Sequence, residues 1–167
     1  MLRAIEPHDL DLLYELDNAD ECRAVTSTPN FYSRHTLEQY LASQCFEDPW
    51  KSEQLRLAVP LSPQDTTAVG FIDLTSIAAR ERRAEVGLCI APAYRRQGRA
   101  KAALTEMADF AHRHLNLHLL YAIIPITNTP SLHTFAAAGY QEVARLPEWV
   151  LQSEKYTTAA IFQRILG

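Results

Sequence analysis

The run Arg95-Arg96-Gln97-Gly98-Arg99-Ala100-Lys101 places four cations and a glycine where the chain changes from strand to helix. It follows the apolar stretch Ala84–Ile90 and opens an alanine-rich segment that reads as a helix to about Leu115. The first backbone N–H groups of a helix have no intrahelical acceptor, and the macrodipole adds partial positive charge at the same end. Such an end suits a phosphate or pyrophosphate. Gly98 can adopt backbone angles closed to other residues and puts no side chain between backbone and ligand. Arg95, Arg96, Arg99 and Lys101 oppose the dipole unless an anion sits among them, so a bound anion explains their presence. A helix start that is basic by chance is the alternative. The second group of interest is Glu85, the one carboxylate of its strand. Alternation puts Ala84, Val86, Leu88 and Ile90 on one face and Glu85, Gly87 and Cys89 on the other. By pattern alone Glu85 fits a solvent-facing strand residue as well as an acid–base group.

Other reactive side chains form no pattern. Cys22, Cys45 and Cys89 are widely spaced, make no C-x-x-C pair and lie in no recognisable nucleophile setting, so they read as reduced thiols. His114 and His118 are four apart, but Asn116 falls near the expected helix end and no further ligand is evident, so no metal is expected. Histidines near a helix C-terminus, His112 among them, are favoured by the dipole in any case.

The elements around these groups are readable in outline. Leu2–Ile5 reads as a strand, and Pro7 starts a helix whose apolar face (Leu10, Leu13, Tyr14, Leu16) ends near Asn18. The polar stretch from Asp17 to Ser33 reads as a loop, and Thr36-x-x-Gln39 predicts the cap of a second helix reaching Phe46. Leu55–Pro60 and Ala68–Thr75 read as strands joined through Ser62-Pro63-Gln64-Asp65. A strand over Arg82–Ala91, the basic turn with its helix, a strand over Leu117–Ile124 and a helix over Asn128–Ala138 follow, with Asn128 as N-cap and Gly139 at C′. Tyr140–Leu146 and Tyr156–Ile165 are the final strands. The order β-α-α-β-β-β-α-β-α-β-β, with no repeat or low-complexity linker, predicts a single domain over residues 1–167 of the mixed α/β (α+β) class.

Bulk properties narrow the function. A net charge of −4 argues against general nucleic-acid binding and is compatible with a cationic substrate. No basic-then-apolar leader opens the chain, and the apolar stretch near Leu115–Ile126 is interrupted by Asn116, His118 and Pro125. No membrane partner is expected, and a cytoplasmic protein is the reading.

Arg95-x-x-Gly98-x-Ala100 resembles the Q/R-x-x-G-x-G/A signature of the general-control N-acetyltransferase (GNAT) superfamily. The strand Ala-Glu-Val-Gly precedes it and the strand Leu119–Ile124 follows its helix. Asn128-x-x-Ser131-x-x-x-Phe135-x-x-x-Gly139-Tyr140 is similar to the family's closing N-x-x-A/S…Y-x-x-x-G-F block. The opening Leu2-Arg3-Ala4-Ile5-Glu6-Pro7-x-Asp9-Leu10 resembles the branch of spermidine/spermine and ribosomal-protein N-terminal acetyltransferases. The likeness covers essentially the whole chain and is strongest from Arg82 to Tyr140.

The resemblance implies a mixed, mostly antiparallel, twisted GNAT-type sheet flanked by helices, and acetyl-CoA as acyl-donor co-substrate. Its pyrophosphate would lie on Gln97, Gly98, Arg99, Ala100 and Lys101, with Arg95, Arg96, Arg99 and Lys101 as charge partners. Its pantetheine arm would lie on backbone groups of Leu88 and Ile90, with Asn128 and Ser131 reaching toward it. Glu85 matches a glutamate that serves several members as general base, directly or through water. Pro125 and Ile126 fall where the family's strands splay around the acyl group. The departure is Phe135, which stands where many relatives have a tyrosine that protonates the leaving thiolate. His133 is no substitute, because helical spacing points it away from Asn128, Ser131 and Phe135. The implied reaction is direct attack on the thioester by a primary amine, either a small amine or polyamine or a protein N-terminus. A non-catalytic acyl-CoA-binding module is the reading that Phe135 favours. Family members are often homo-oligomers, and the acidic residues Asp17, Asp20 and Glu21 border the usual acceptor side, as an acceptor site, an effector site or simply a solvated loop.

Overall fold

In the computed structural model, which describes residues 2–20, 31–44, 48–152 and 154–167, the alternating apolar runs pair into one six-stranded sheet. Its strands are β1 (Leu55–Pro60), β2 (Ala68–Ala78), β3 (Arg83–Ile90), β4 (Leu119–Pro125), β5 (Gln141–Gln152) and β6 (Lys155–Ile165), in the order β1-β2-β3-β4-β6-β5. The helices are α1 (Leu10–Asn18), α2 (Arg34–Gln44), α3 (Pro49–Ser52), α4 (Arg99–Leu115) and α5 (Thr129–Ala137). Every pairing is antiparallel except β3 with β4, which are parallel and so need the long crossover that α4 supplies.

The two sheet faces bury separate cores. On one, Ala84, Val86, Ile90, Leu120, Ala122, Ile124 and Phe162 meet Ala103, Leu104, Met107, Ala108 and Ala111 of α4 and Phe135 of α5. On the other, Leu13 and Leu16 of α1 and Leu37 and Leu41 of α2 cover Ala58 and Phe71, with Cys89 at the border. Gly70 lets β2 and β3 close against each other, because a Cβ there would collide with the Cys89 carbonyl.

Several expected boundaries move. The N-terminal strand is reduced to one bridge, Arg3 to Ala58. Arg3 instead clamps Asp9 with two bonds of 2.7 and 2.8 Å, and Asp9 is 3% exposed. Thr36 does not cap the second helix: Ser33 does, its Oγ accepting from the Thr36 amide at 3.1 Å, and Phe46 lies outside the described residues. The short α3 is additional, started by Asp48, whose Oδ1 accepts from the Trp50 amide at 3.0 Å, and by Pro49 in the first turn. β5 runs six residues beyond Leu146 because irregular pairing between Leu146 and Val150 carries it past Pro147. No helix among the described residues is long and apolar enough to cross a membrane.

Candidate active site

The parallel pairing of β3 with β4 lasts three rungs: Arg83–Leu119, Ala84–Leu120 and Glu85–Tyr121. Beyond Glu85 both strands continue, to Ile90 and to Pro125, without pairing to each other. The sheet is therefore open in its middle. The direction of the backbone groups there follows from the neighbouring ladder. The Ala91 amide donates to the Val69 carbonyl at 2.9 Å, so odd-numbered residues at this end of β3 turn their backbone groups toward β2. Leu88 and Ile90 then turn theirs toward the opening. On the other wall the Ile126 amide donates to Thr158 at 3.0 Å, which turns position 125 toward the opening. Pro125 has no N–H to offer and loses no ladder bond by standing there. It still pairs with Ala159 of β6, so the opening lies on its β3 side alone.

The basic turn closes one end of this opening. Arg96 and Gly98 both take left-handed backbone angles, with φ of 58° and 76°. Alternating backbone hands of this kind gather N–H groups into a concave nest for an anion. Gly98 is the N-cap of α4, and a Cβ there would meet no protein atom within 4 Å. The Gly98 carbonyl accepts from Ala102 at 3.0 Å, leaving the amides of Arg99, Ala100 and Lys101 as the open donors of the first turn. No acid stands in that turn.

The structure separates the cations that the sequence grouped. Arg95 Nε donates to the Ile90 carbonyl at 2.8 Å and ties the turn to the end of β3. Arg99 Nη1 donates to the Leu61 carbonyl at 2.5 Å, toward the β1–β2 connection. Arg96 and Lys101 are exposed, and no side-chain partner of theirs occurs among the described residues. Two of the cations are thus builders of the turn, and two are available to a ligand.

Glu85 is half-buried at the base of the opening, between Thr75 of β2 and Tyr121 of β4. Burial holds its carboxyl above the usual range, which makes it a stronger proton acceptor than an exposed carboxylate. Asn128 caps α5, its Oδ1 accepting from the Ser131 amide at 3.3 Å, and both residues are half-buried at the far end of β4. Phe135 is 4% exposed and packs edge-on against Tyr140 with ring centroids 5.1 Å apart. His133 is exposed on the opposite side of α5, as the spacing implies. Asp17 belongs to the last turn of α1, not to a loop, and is taken up by Arg56 at 2.8 Å. Arg56 also holds Asp73 at 2.5 Å, so Asp17 acts within a structural ion triad. Glu21 lies outside the described residues. Tyr121 was not singled out from sequence; the signal was present, since alternation in Leu119–Ile124 gives it the same face as Glu85 once the strands are aligned.

An interrupted parallel pair, a nest at a helix start and a half-buried carboxylate thus lie along one opening of the sheet, a candidate active site. Residues 1–141 match the family model described as the acetyltransferase (GNAT) domain, and the chain belongs to that family of acyltransferase enzymes. The spermidine N(1)-acetyltransferase of Escherichia coli K12 is 25% identical over 174 residues, spanning 97% of this chain and 85% of that protein. An uncharacterized N-acetyltransferase of Bacillus subtilis, YoaA, is 24% identical over 155 residues, 92% of this chain and 85% of that one. Among solved structures, the spermidine N-acetyltransferase of Vibrio cholerae in complex with CoA and spermine superposes with a TM-score of 0.86. It covers 99% of this chain and 95% of its own at 23% identity, a likeness of fold.

Proposed function

We propose that this enzyme transfers the acetyl group of acetyl-CoA to a primary amine, a small amine or polyamine, by direct attack. The observation that carries the reading is the loss of pairing beyond the Glu85–Tyr121 rung, with the Leu88 and Ile90 backbone groups turned into the opening. Acetyl-CoA fits the groups present. The nest at Gln97–Lys101 offers amides and the Arg96 and Lys101 charges to the pyrophosphate, and Gly98 leaves the approach clear. The Leu88 backbone groups and the Ile90 amide offer strand-like bonds to the amide-bearing pantetheine arm, the Ile90 carbonyl being held by Arg95, with Asn128 and Ser131 at its reacting end. When bound, acetyl-CoA supplies an activated acyl carbon.

The chain's own task is the amine. An alkylammonium titrates at about 10.4, so at neutral pH it must lose a proton before attacking. The Glu85 carboxylate, raised by burial, accepts that proton directly or through water. The amine nitrogen then bonds to the acyl carbon, the carbon–sulfur bond breaks with its electron pair leaving on sulfur, and the now cationic nitrogen gives its second proton to solvent. Phe135 has no proton to give, so water protonates the thiolate, whose conjugate acid has a pKa of about 8.5. The polyamine acceptor is supported by the E. coli relative at 25% identity over most of both chains. The net charge of −4 suits a cationic substrate.

Acetyl-CoA consumption with spermidine, spermine, small monoamines and peptides bearing free N-termini tests the reading. Turnover with a polyamine or small amine is expected. Turnover with peptides alone would move the acceptor to protein N-termini, and binding without any turnover would overturn the catalytic mechanism.

A further inference from the structure

The N-terminal segment and β1 begin as an antiparallel pair and then part. The Arg3 amide donates to the Ala58 carbonyl at 3.2 Å, and the Ala58 amide donates to the Arg3 carbonyl at 2.8 Å. Ala58 thus turns its backbone groups away from β2, and by alternation so does Arg56. The next rung of such a ladder would join Arg56 to Ile5. It does not form, and among the described residues the backbone groups of Ile5 and Arg56 have no hydrogen-bond partner. Asp9 supplies the cause. Its carboxylate accepts from the Arg3 guanidinium at 2.7 and 2.8 Å and from the Glu6 amide at 2.8 Å, which folds residues 3–9 around it and draws the chain off β1.

Where the two segments part lies a cavity of about 520 Å³, lined by both of them and by Leu10 of α1 and Leu41 of α2. Ligand pockets span about 300–1,000 Å³. Glu6 and Glu38 line it as well, and both are exposed. Among the described residues Glu6 makes no ion pair, and Glu38 has only a 3.9 Å contact with His35. The cation of the lining, Arg56, is taken up by Asp17 and Asp73 at 2.8 and 2.5 Å. The cavity therefore joins an open backbone rung, an apolar floor and two carboxylates.

We propose that this cavity is a second binding site, for an extended basic segment of a partner protein. The segment's backbone takes the rung on Arg56 that Ile5 leaves open, and an arginine or lysine side chain meets Glu6 and Glu38. The site is independent of the acetyl-transfer reading. Its chemistry selects a peptide. The Arg56 amide requires an acceptor and the Arg56 carbonyl a donor, and an added strand supplies both at one rung. A charged polyamine carries donors alone and would leave the amide unpaired. Nucleotides and other phosphates are repelled by the two carboxylates.

The test is amide exchange followed by NMR in the intact protein, with acetyl-Val-Arg-Val-amide as the probe. Both ends of this peptide are blocked and it has no primary amine, so it cannot serve as an acetyl acceptor. In the free protein the Arg56 amide should exchange faster than those of Leu55 and Leu57, which turn toward β2. Saturating peptide should slow the Arg56 amide about tenfold or more. The double variant Glu6→Gln, Glu38→Gln alters two exposed side chains and should weaken the peptide about tenfold with the fold kept. An Arg56 amide already slow in the free protein, or left unprotected by the peptide, would overturn the proposal. Equal protection by acetyl-Val-Glu-Val-amide or by spermine would overturn it too, the first by removing the role of charge and the second by removing that of the peptide backbone.

Discussion

On the mechanism proposed above, Glu85 and Phe135 divide the proton chemistry unequally. A carboxylate raised by burial can collect a proton from the amine, whereas a phenyl ring cannot return one to sulfur. Glu85→Gln should therefore lower kcat by roughly 10²–10⁴-fold and abolish the acid limb of the pH–rate profile, leaving acetyl-CoA affinity near that of the wild type. The sign is fixed by the direction of the shift. Because the folded carboxyl titrates above its ordinary value, the wild-type rate should fall as pH drops through that raised midpoint. Phe135→Tyr adds one hydroxyl in a buried place beside Tyr140. Steady-state kinetics should show activity similar to the wild type or modestly higher; a large loss with the fold intact would mean that the phenyl edge contact sets the acyl position.

At the scale of elements, the β3–turn–α4 unit is where local rules and function agree. Gly98 holds a φ of 76°, strained for any other residue, although the space beside it is open. Gly98→Val should thus fail through backbone conformation and obstruction of the ligand, and calorimetry should show acetyl-CoA binding lost in a folded protein. The Arg3–Asp9 clamp ties the N-terminal segment to the start of α1. Burial pushes the Asp9 carboxyl up, but the Arg3 bonds outweigh it and leave it below the usual range. Arg3→Met strands a buried carboxylate and should cost about 3 kcal/mol in urea unfolding at neutral pH. That cost should shrink as pH falls through the folded Asp9 midpoint, because stability from a depressed carboxyl exists only while it is ionised. The strand–turn–helix unit, Gly98 and Asn128 were legible in the sequence because capping and dipole chemistry act within a few residues. What was not legible depended on distant partners. Arg95 and Arg99 meet backbone carbonyls at Ile90 and Leu61, the latter far away in the chain. The irregular pairings at Thr75/Ala78 and Leu146/Val150 leave no periodic mark either, since each breaks the period by which strands are read.

At the scale of the whole molecule, the sheet consists of two antiparallel halves, β1–β2–β3 and β4–β6–β5, joined by three parallel rungs and the α4 crossover. A ligand bound in the opening as proposed would lie between both halves. At a concentration a hundredfold above its dissociation constant, acetyl-CoA should stabilise the folded state by about 2.7 kcal/mol, read as a rise in Tm. The same opening has a second consequence. The backbone groups of Leu88 and the Ile90 amide make an edge in the interior of a sheet, and an unpaired edge is a template for strands of other molecules. If acetyl-CoA binds in the opening as proposed, the ligand-free enzyme carries an adhesive seam and the substrate acts also as a solubilising cover. Light scattering during mild heating should rise earlier in ligand-free protein than in protein held with CoA, by more than the difference in Tm accounts for. Scattering that merely tracks unfolding in both samples would show that the seam is harmless.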